Sequence, residues 1–164
     1  MKENLQQALN DQINHELYAA YLYLSMAEHF QANNLDGFAH WMRQQREEET
    51  GHAMKIFDFV LDRDGRVKLQ TIEAPKGGYK STLEIAKQAL AHEQKVTQEI
   101  NEIYELAKTE KDYPTEAFMQ WFVLEQVEEE ATALKVVERL EMAGNDQAAL
   151  LMLDREMGAR TSTE

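Results

Sequence analysis

The chain has 164 residues, 43% of them hydrophobic, which suits one globular domain with a substantial core, and we predict a single domain over residues 1–164. It contains no cysteine, which excludes disulfide frameworks, thiolate metal sites and thiol catalysis. The formal net charge of −13 argues against a nucleic acid partner, because phosphate binding needs clustered lysine and arginine. Residues 1–5 lack an apolar signal segment and no apolar run approaches the length of a membrane span, so we expect a cytoplasmic protein without a membrane partner.

Four stripes of mainly apolar residues follow one another along the chain, each with steps of three or four residues. This period places the members of one stripe on one face of a helix. A shorter amphipathic segment at residues 148–157 follows Gly144, a residue that suits the end of a helix. The sequence therefore predicts four long helices and a short fifth. The four stripes cover residues 9–30, 38–59, 83–107 and 119–140.

The breaks between the stripes predict how the helices connect. Short breaks at residues 33–34 and 112–114 are typical of antiparallel helix pairs. The break at residues 62–80 contains Gly and Pro and has no helical period. Fully extended, such a segment reaches roughly 55 Å, whereas a helix of about 28 residues is roughly 42 Å long. We therefore predict an all-α four-helix bundle with one long crossover that makes helices two and three parallel.

Carboxylates interrupt the apolar stripe of every predicted helix: Glu16, Glu49, Glu93 and Glu129. A buried, unpaired carboxylate costs several kcal/mol, and clustered carboxylates also repel one another. A chain that points glutamate inward from four helices is therefore expected to bind cations there. A purely structural bundle gives no reason for these residues.

The spacing of the polar residues indicates a site for two metal ions. Glu49 and His52 form a Glu-x-x-His pair, so both side chains can reach one metal while Glu49 bridges to a second. Dimetal carboxylate bundles combine a single Glu from each of two helices with Glu-x-x-His from each of the other two. Glu16 and Glu93 match the single carboxylates. The fourth helix departs from this pattern, because Gln126-x-x-Glu129 replaces Glu-x-x-His. Oxygen ligands with one imidazole suit iron or manganese, and also accept zinc.

Several longer motifs carry a resemblance to a known family. They are NHELYAAYLY at residues 14–23, EEETGHA at 47–53, HEQ at 92–94, QWF at 120–122 and EQVEEE at 125–130. With these motifs the chain resembles the bacterial non-haem ferritins over residues 5–143. The resemblance implies a hollow homo-oligomeric cage of 24 subunits that oxidises Fe²⁺ with O₂ (or H₂O₂) and stores ferric mineral.

The resemblance also implies roles for individual residues. Tyr23 matches the tyrosine next to the dimetal site, where it is either a redox partner or only a core residue. Gln126 is expected beside the two irons. The first iron is expected on Glu16, Glu49 and His52, and the second on Glu49, Glu93 and Glu129. A third iron site would use Glu48, Glu125, Glu128 and Glu129, although the first three of these could equally form a solvated face.

Haem is not expected. The haem-containing bacterioferritins have a second Glu-x-x-His and a methionine where this chain has the Gln126/Glu129 pair and Thr50. Two functional alternatives stay open. One is a dimetal oxygenase or peroxidase of the same bundle class, and the other is a DNA-protecting mini-ferritin, which the acidic charge disfavours. The remaining conspicuous side chains are assigned to surface or interface (His15 and His92) and to core packing (Trp41, Trp121, Met26, Met42, Met54 and Met119).

Overall fold

The computed structural model describes residues 1–160, and over that part the chain forms five α-helices. Residues 161–164 lie outside this part, so the single domain over residues 1–164 stays a prediction. The helices are α1 Glu3–Ala32, α2 Asp36–Asp62, α3 Thr82–Glu110, α4 Tyr113–Ala143 and α5 Gln147–Gly158. No strand interrupts them within the described residues. The predicted all-α class, the four long helices and the short fifth helix are confirmed.

The crossover between α2 and α3 runs along the length of α1. Near its start, the Lys68 backbone N–H donates to Asn10 Oδ1 at 2.7 Å. Near its end, the hydroxyl of Tyr79 lies 3.4 Å from the hydroxyl of Ser25. The segment 63–81 therefore returns the chain to the end of the bundle at which α2 began. Helices α2 and α3 are consequently parallel, and the predicted topology is confirmed.

The ends of the helices are fixed by side chains that satisfy free backbone groups. Asp112 caps α4 by accepting the Thr115 N–H at 3.1 Å, and Pro114 occupies the first turn, where no N–H is required. Arg63, the residue after α2, donates to the Asp112 carboxylate at 2.9 Å. The Arg63 guanidinium lowers the pKa of Asp112 to about 2. This ion pair joins the end of α2 to the start of α4. Helices α2 and α4 therefore run antiparallel to each other.

The core consists of two apolar clusters separated by a polar layer. One cluster, with Phe30, Phe38 and Met42, lies towards α5. The other lies towards the opposite end and includes Leu5 and Ile100. The polar layer lies between them, at the middle of the long helices. Its buried members are Gln12, Glu16, Gln45, Glu49, His52, Glu93, Gln126 and Glu129.

The expected burial of Met54 is wrong. Met54 is 45% exposed, because it lies only two residues after the inward His52 and so points to the outer side of α2. On α3, Leu90 belongs to the predicted stripe and packs half-buried against the core, and Ile85 and Val96, beside the stripe, are fully buried. This helix packs against both α1 and α4, so its buried face is broader than one stripe. None of the helices within residues 1–160 has an apolar stretch long enough to cross a bilayer.

Candidate metal centre

Four helices each bring one glutamate into the polar layer at the middle of the bundle. Glu16 comes from α1, Glu49 from α2, Glu93 from α3 and Glu129 from α4, and His52 lies one turn after Glu49. All five side chains are buried, with between 1% and 8% of their surface exposed. The helical period that predicted these residues on inward faces thus agrees with where they lie.

Glu16, Glu49 and His52 have the geometry of a metal-binding group. His52 Nδ1 lies 3.4 Å from Glu49 Oε2 and 4.0 Å from Glu16 Oε2. One ligand atom from each residue lies within 4.8 Å of the other two. Ligand atoms bound at about 2 Å to a common ion are separated by roughly 3–4 Å. One cation therefore fits between these three side chains with little movement.

Glu93 and Glu129 lie close enough to Glu49 that, after burial, both raise its pKa. The Tyr23 hydroxyl donates to Glu93 Oε1, and Gln126 Nε2 donates to Glu93 Oε2 at 3.2 Å. The negative charge of Glu93 is a major cause of the raised pKa of both Glu49 and Glu129. Glu49 is thus close to Glu16, Glu93 and Glu129, and a bridging ligand needs such neighbours.

The residues predicted for a third metal site are only partly brought together. Glu125 and Glu129 join His52 in a second group whose ligand atoms lie within 4.8 Å of one another. Glu48 is half-buried, and its pKa is raised by burial and, to a smaller extent, by Glu125. Glu128 is exposed and belongs to neither of the two groups found within residues 1–160.

The pKa values of the four buried carboxylates are all raised, which favours their protonated forms. Burial is the largest cause for each of the four, and repulsion from neighbouring carboxylates raises the pKa further at Glu16, Glu49 and Glu129. The pKa of Glu129 rises to about 8. Among residues 1–160, no lysine or arginine forms an ion pair with any of the four. A metal cation would supply the missing positive charge and displace the protons.

Neutral amides provide hydrogen bonds to these carboxylates. Gln12 Nε2 donates to Glu16 Oε1 at 2.8 Å, and Gln45 Nε2 donates to Glu129 Oε2 at 3.1 Å. Neither glutamine was predicted as a site residue. Gln12 precedes Glu16 by four residues, a spacing that brings side chains together on a helix and that could have identified it. The contact of Gln45 with Glu129 joins two helices and has no such local signal.

Aromatic rings surround the cluster. Tyr23 is buried, and the ring of His92 packs edge-on against it with centroids 6.2 Å apart. Burial lowers the pKa of His92 to about 4, so this histidine is neutral at pH 7. His92 is only half-buried, and its ring lies between α1 and α3, so it is not a simple surface residue; the predicted interface role stays a prediction. Trp121 packs edge-on against His52 and is 38% exposed, so it covers the cluster rather than filling the core.

The fold and the buried glutamates define a four-helix bundle of the carboxylate metal-binding class. The ferritin-like domain family matches residues 6–143 of this chain. Two curated relatives are the bacterial non-heme ferritins of Staphylococcus aureus (strain USA300) and Staphylococcus haemolyticus (strain JCSC1435). Each is 40% identical over 164 residues, which is 100% of this chain and 99% of the relative. The chain therefore belongs to the ferritin-like family, and the predicted resemblance is confirmed.

Solved structures agree with this assignment. A crystal structure described as a novel open pore ferritin from Archaeoglobus fulgidus is 51% identical, with a TM-score of 0.97, and the match covers 98% of this chain and 99% of that one. An engineered closed form of the same archaeal ferritin is 52% identical, with a TM-score of 0.96 and 98% of each chain covered. The similarity thus extends along the whole bundle and includes α5.

Proposed function

We propose that this protein stores iron, oxidising Fe²⁺ to Fe³⁺ with O₂ at a di-iron centre inside each subunit. The observation that carries the proposal is the buried group of Glu16, Glu49 and His52, with the buried carboxylates of Glu93 and Glu129 close to Glu49, in a chain of the ferritin-like family. Carboxylate oxygens with one imidazole are suitable ligands for iron.

The two irons are assigned as substrates to neighbouring positions. Glu16, Glu49 and His52 bind the first, and Glu49, Glu93 and Glu129 bind the second, so Glu49 bridges. Gln126 lies beside the second position and donates to Glu93. The distances of 3.4 and 4.0 Å from His52 Nδ1 support the first assignment. The mutual repulsion among Glu49, Glu93 and Glu129 supports the second.

The carboxylates promote oxidation through their charge. Each of two Fe²⁺ ions gives up one electron, and O₂ with two protons becomes H₂O₂. Anionic oxygen ligands favour Fe³⁺ over Fe²⁺, because attraction to the ligands grows with the charge of the ion. Tyr23, whose hydroxyl contacts Glu93, is proposed to supply a further electron when oxygen is reduced beyond peroxide. H₂O₂ is a second possible oxidant at the same residues.

A third iron is proposed at Glu48, Glu125, Glu128 and Glu129. The proximity of Glu125, Glu129 and His52 supports a site on this side of the cluster. Glu128 is exposed in the single chain, so it contributes least. Glu129 is shared with the second iron, which would let Fe³⁺ leave the di-iron centre through this position.

The mineral is proposed to lie inside a hollow homo-oligomer of 24 subunits. Large apolar side chains remain exposed on the single chain, including Val127 at 66%, Leu151 at 60% and Met152 at 74%. Apolar surface of this kind is usually covered by another chain. Two of these three residues belong to α5, at the end of the bundle, where the helix can pack against symmetry-related copies.

Native mass measurement combined with an aerobic Fe²⁺ titration tests the proposal. We expect a particle of about 24 times the chain mass of 19.0 kDa that takes up many more irons than it has sites. A monomer or dimer that performs slow single-turnover oxidation without mineral would contradict storage. That result would favour an oxygenase or peroxidase of the same bundle class.

A further inference from the structure

We infer that Gln12 and Gln45 are positioning residues, each of which selects the carboxylate oxygen that one buried glutamate presents to a metal ion. Gln12 acts on Glu16 and Gln45 acts on Glu129. Neither glutamine belongs to the proposed ligand set, and the inference rests on the proposed di-iron centre.

Gln12 binds the oxygen of Glu16 that faces away from the metal-binding group. The Gln12 side chain is 1% exposed, and its Nε2 donates to Glu16 Oε1 at 2.8 Å. The other oxygen, Oε2, is buried and has no hydrogen-bond partner among residues 1–160. This free oxygen is the one that lies 4.0 Å from His52 Nδ1. The hydrogen bond therefore leaves free the oxygen that is directed towards the first metal position.

Gln45 holds Glu129 by a contact between two helices. Its side chain is 6% exposed, and its Nε2 donates to Glu129 Oε2 at 3.1 Å. Gln45 precedes Glu49 by four residues, so it lies on the same face of α2 as the bridging carboxylate. One oxygen of Glu129 is thus occupied, and the other remains free for a metal ion.

A neutral amide suits this task better than a charged group. Lysine or arginine would orient a carboxylate too, but its positive charge would oppose the binding of a cation nearby. An amide offers an N–H donor without net charge. Within residues 1–160 no amide or hydroxyl side chain donates to Glu49, and its side-chain hydrogen-bond contact is with the carboxyl of Glu16, another proposed ligand. That difference matches a bridging role for Glu49 and a single-metal role for Glu16 and Glu129.

The two glutamines should therefore affect different metal positions. Loss of Gln12 should weaken the ion held by Glu16, Glu49 and His52, and loss of Gln45 should weaken the ion next to Glu129. Loss of a hydrogen bond to a metal ligand typically lowers metal affinity by about 10- to 100-fold. A purely structural role would instead lower thermal stability without discriminating between the two positions.

The test uses Co²⁺ as a probe that needs no oxidation step. The variants are Gln12→Met and Gln45→Met, which keep side-chain length but remove the donor. Gln7→Met is the matched control, because Gln7 lies on the same helix and donates to Asp11 Oδ1 at the same 2.8 Å and the same spacing, but on an exposed surface. Calorimetric titration of the assembled proteins gives the affinities, and anomalous scattering from Co²⁺-soaked crystals gives the occupancy of each position. Thermal unfolding in EDTA measures any general loss of packing.

We expect Gln12→Met to weaken Co²⁺ binding at the first position by about ten-fold or more, and Gln45→Met to do so at the second, each leaving the other position nearly unchanged. Gln7→Met should bind like the wild type. Equal weakening of both positions by each variant, or no weakening by either, would overturn the inference. If Gln12→Met fails to assemble, Gln12→Asn replaces it, since its amide is one methylene too short to reach Glu16.

The wild type separates this inference from the proposed function. If it binds no Co²⁺ at the two positions, the di-iron centre itself is wrong. If it binds two ions and both glutamine variants do the same with unchanged affinity, only the positioning role fails.

Discussion

Two groups of glutamates lie close together in this bundle and differ in their exposure to solvent. One group is buried and the other lies at its rim. The buried group is Glu16, Glu49, Glu93 and Glu129, and the rim group is Glu48, Glu125 and Glu128. The residues 47–49 are three consecutive glutamates, of which Glu47 is exposed, Glu48 half-buried and Glu49 buried. The same three environments recur across residues 128–130. Successive residues on a helix point about 100° apart, so identical side chains can have opposite surroundings. Composition alone therefore does not identify a ligand, whereas position relative to the apolar stripe does.

Hydrogen bonding separates the two groups as clearly as burial does. Among the buried carboxylates, Glu16, Glu93 and Glu129 each accept at least one hydrogen bond from a neutral side chain, whereas Glu49 accepts none from an amide or hydroxyl within residues 1–160. Glu48, Glu125 and Glu128, the rim group, have no side-chain hydrogen bond within residues 1–160; the first two are half-buried and Glu128 is exposed. Side-chain hydrogen bonds thus orient three of the buried carboxylates, whereas none orients the rim group within residues 1–160. This difference is consistent with a fixed di-iron centre beside a more labile third site.

The largest effect is expected at the bridging residue. Glu49→Ala removes a ligand of both proposed irons, so rapid Fe²⁺ oxidation should fall by more than about 100-fold, beyond the loss typical of residues that only support a ligand. Stopped-flow absorbance after aerobic mixing with Fe²⁺ measures the rate. Glu47→Ala, on the exposed side of the same helix, is the control and should oxidise iron normally. A wild-type rate in the Glu49 variant would mean that the centre lies elsewhere.

A second prediction concerns the pH dependence of stability without metal. The pKa of Glu129 rises from 4.5 to about 8 on folding, so the folded chain keeps a proton that the unfolded chain releases. The associated stability is complete below pH 4.5 and is lost as the pH rises towards 8. The Glu129→Gln side chain cannot ionise. In EDTA, the free energy of unfolding of this variant should therefore fall less steeply with rising pH than that of the wild type. The two slopes should differ by up to about 1 kcal/mol per pH unit.

Urea unfolding between pH 5 and pH 8 measures both slopes. The bridging and neighbouring carboxylates also have raised pKa values, so some decline remains in the variant. Equal slopes in wild type and variant would show that Glu129 ionises as freely in the folded protein as in the unfolded chain. The buried and rim groups would then not differ in the way described above.

Asp112 shows the opposite pH dependence, because its carboxylate has a cationic partner. Arg63 lowers the pKa of Asp112 to about 2, so its stabilising effect is present above pH 3.8 and is lost as the pH falls towards 2. Asp112→Ala removes this ion pair and the cap of α4, and should cost about 1–2 kcal/mol at pH 7. Thermal unfolding of the variant measures the loss. Asp146→Ala, which removes only a cap of α5, should cost less.

The smallest effect is expected at the rim. Glu125→Ala should leave the first fast oxidation step intact and change the ratio of iron oxidised to oxygen consumed, as well as later turnover. A third iron can donate an electron without holding O₂ itself, so its loss alters how far oxygen is reduced. Oxygen-electrode measurements with stepwise Fe²⁺ additions give the ratio. If stoichiometry and turnover both stay at wild-type values, the rim glutamates are only a solvated face.

The sequence predicts most of the fold because helical periodicity and the lengths of the connecting segments can both be read directly from it. Helical periodicity predicts the four long helices, and the length of the break at residues 62–80 predicts the crossover. The same periodicity assigned the four buried glutamates to inward faces. It did not predict the broader buried face of α3, because a stripe does not record how many neighbours a helix has. Met54 was wrongly assigned to the core from its residue type alone, although methionine occurs both inside and outside a bundle. Its position two residues after His52 places it on the outer side of α2.

The hydrogen bonds between helices at the site were beyond the sequence. The contact of Gln12 with Glu16 has a local signal in its four-residue spacing, whereas the partner of Gln45 cannot be inferred from its neighbours in the chain. The contact between Gln45 and Glu129 joins residues 84 positions apart, and only the packing of α2 against α4 creates it. Likewise, the exposure of Glu128 depends on the rotation of α4, which a motif match does not measure.

Anomalous scattering from crystals soaked anaerobically with Fe²⁺ tests the central claim most directly. The claim predicts two iron peaks in each subunit, both bound at about 2 Å to oxygens of Glu49. One peak should also contact Glu16 and His52, and the other Glu93 and Glu129. A single peak, or peaks that do not share Glu49, would contradict the proposed di-iron centre.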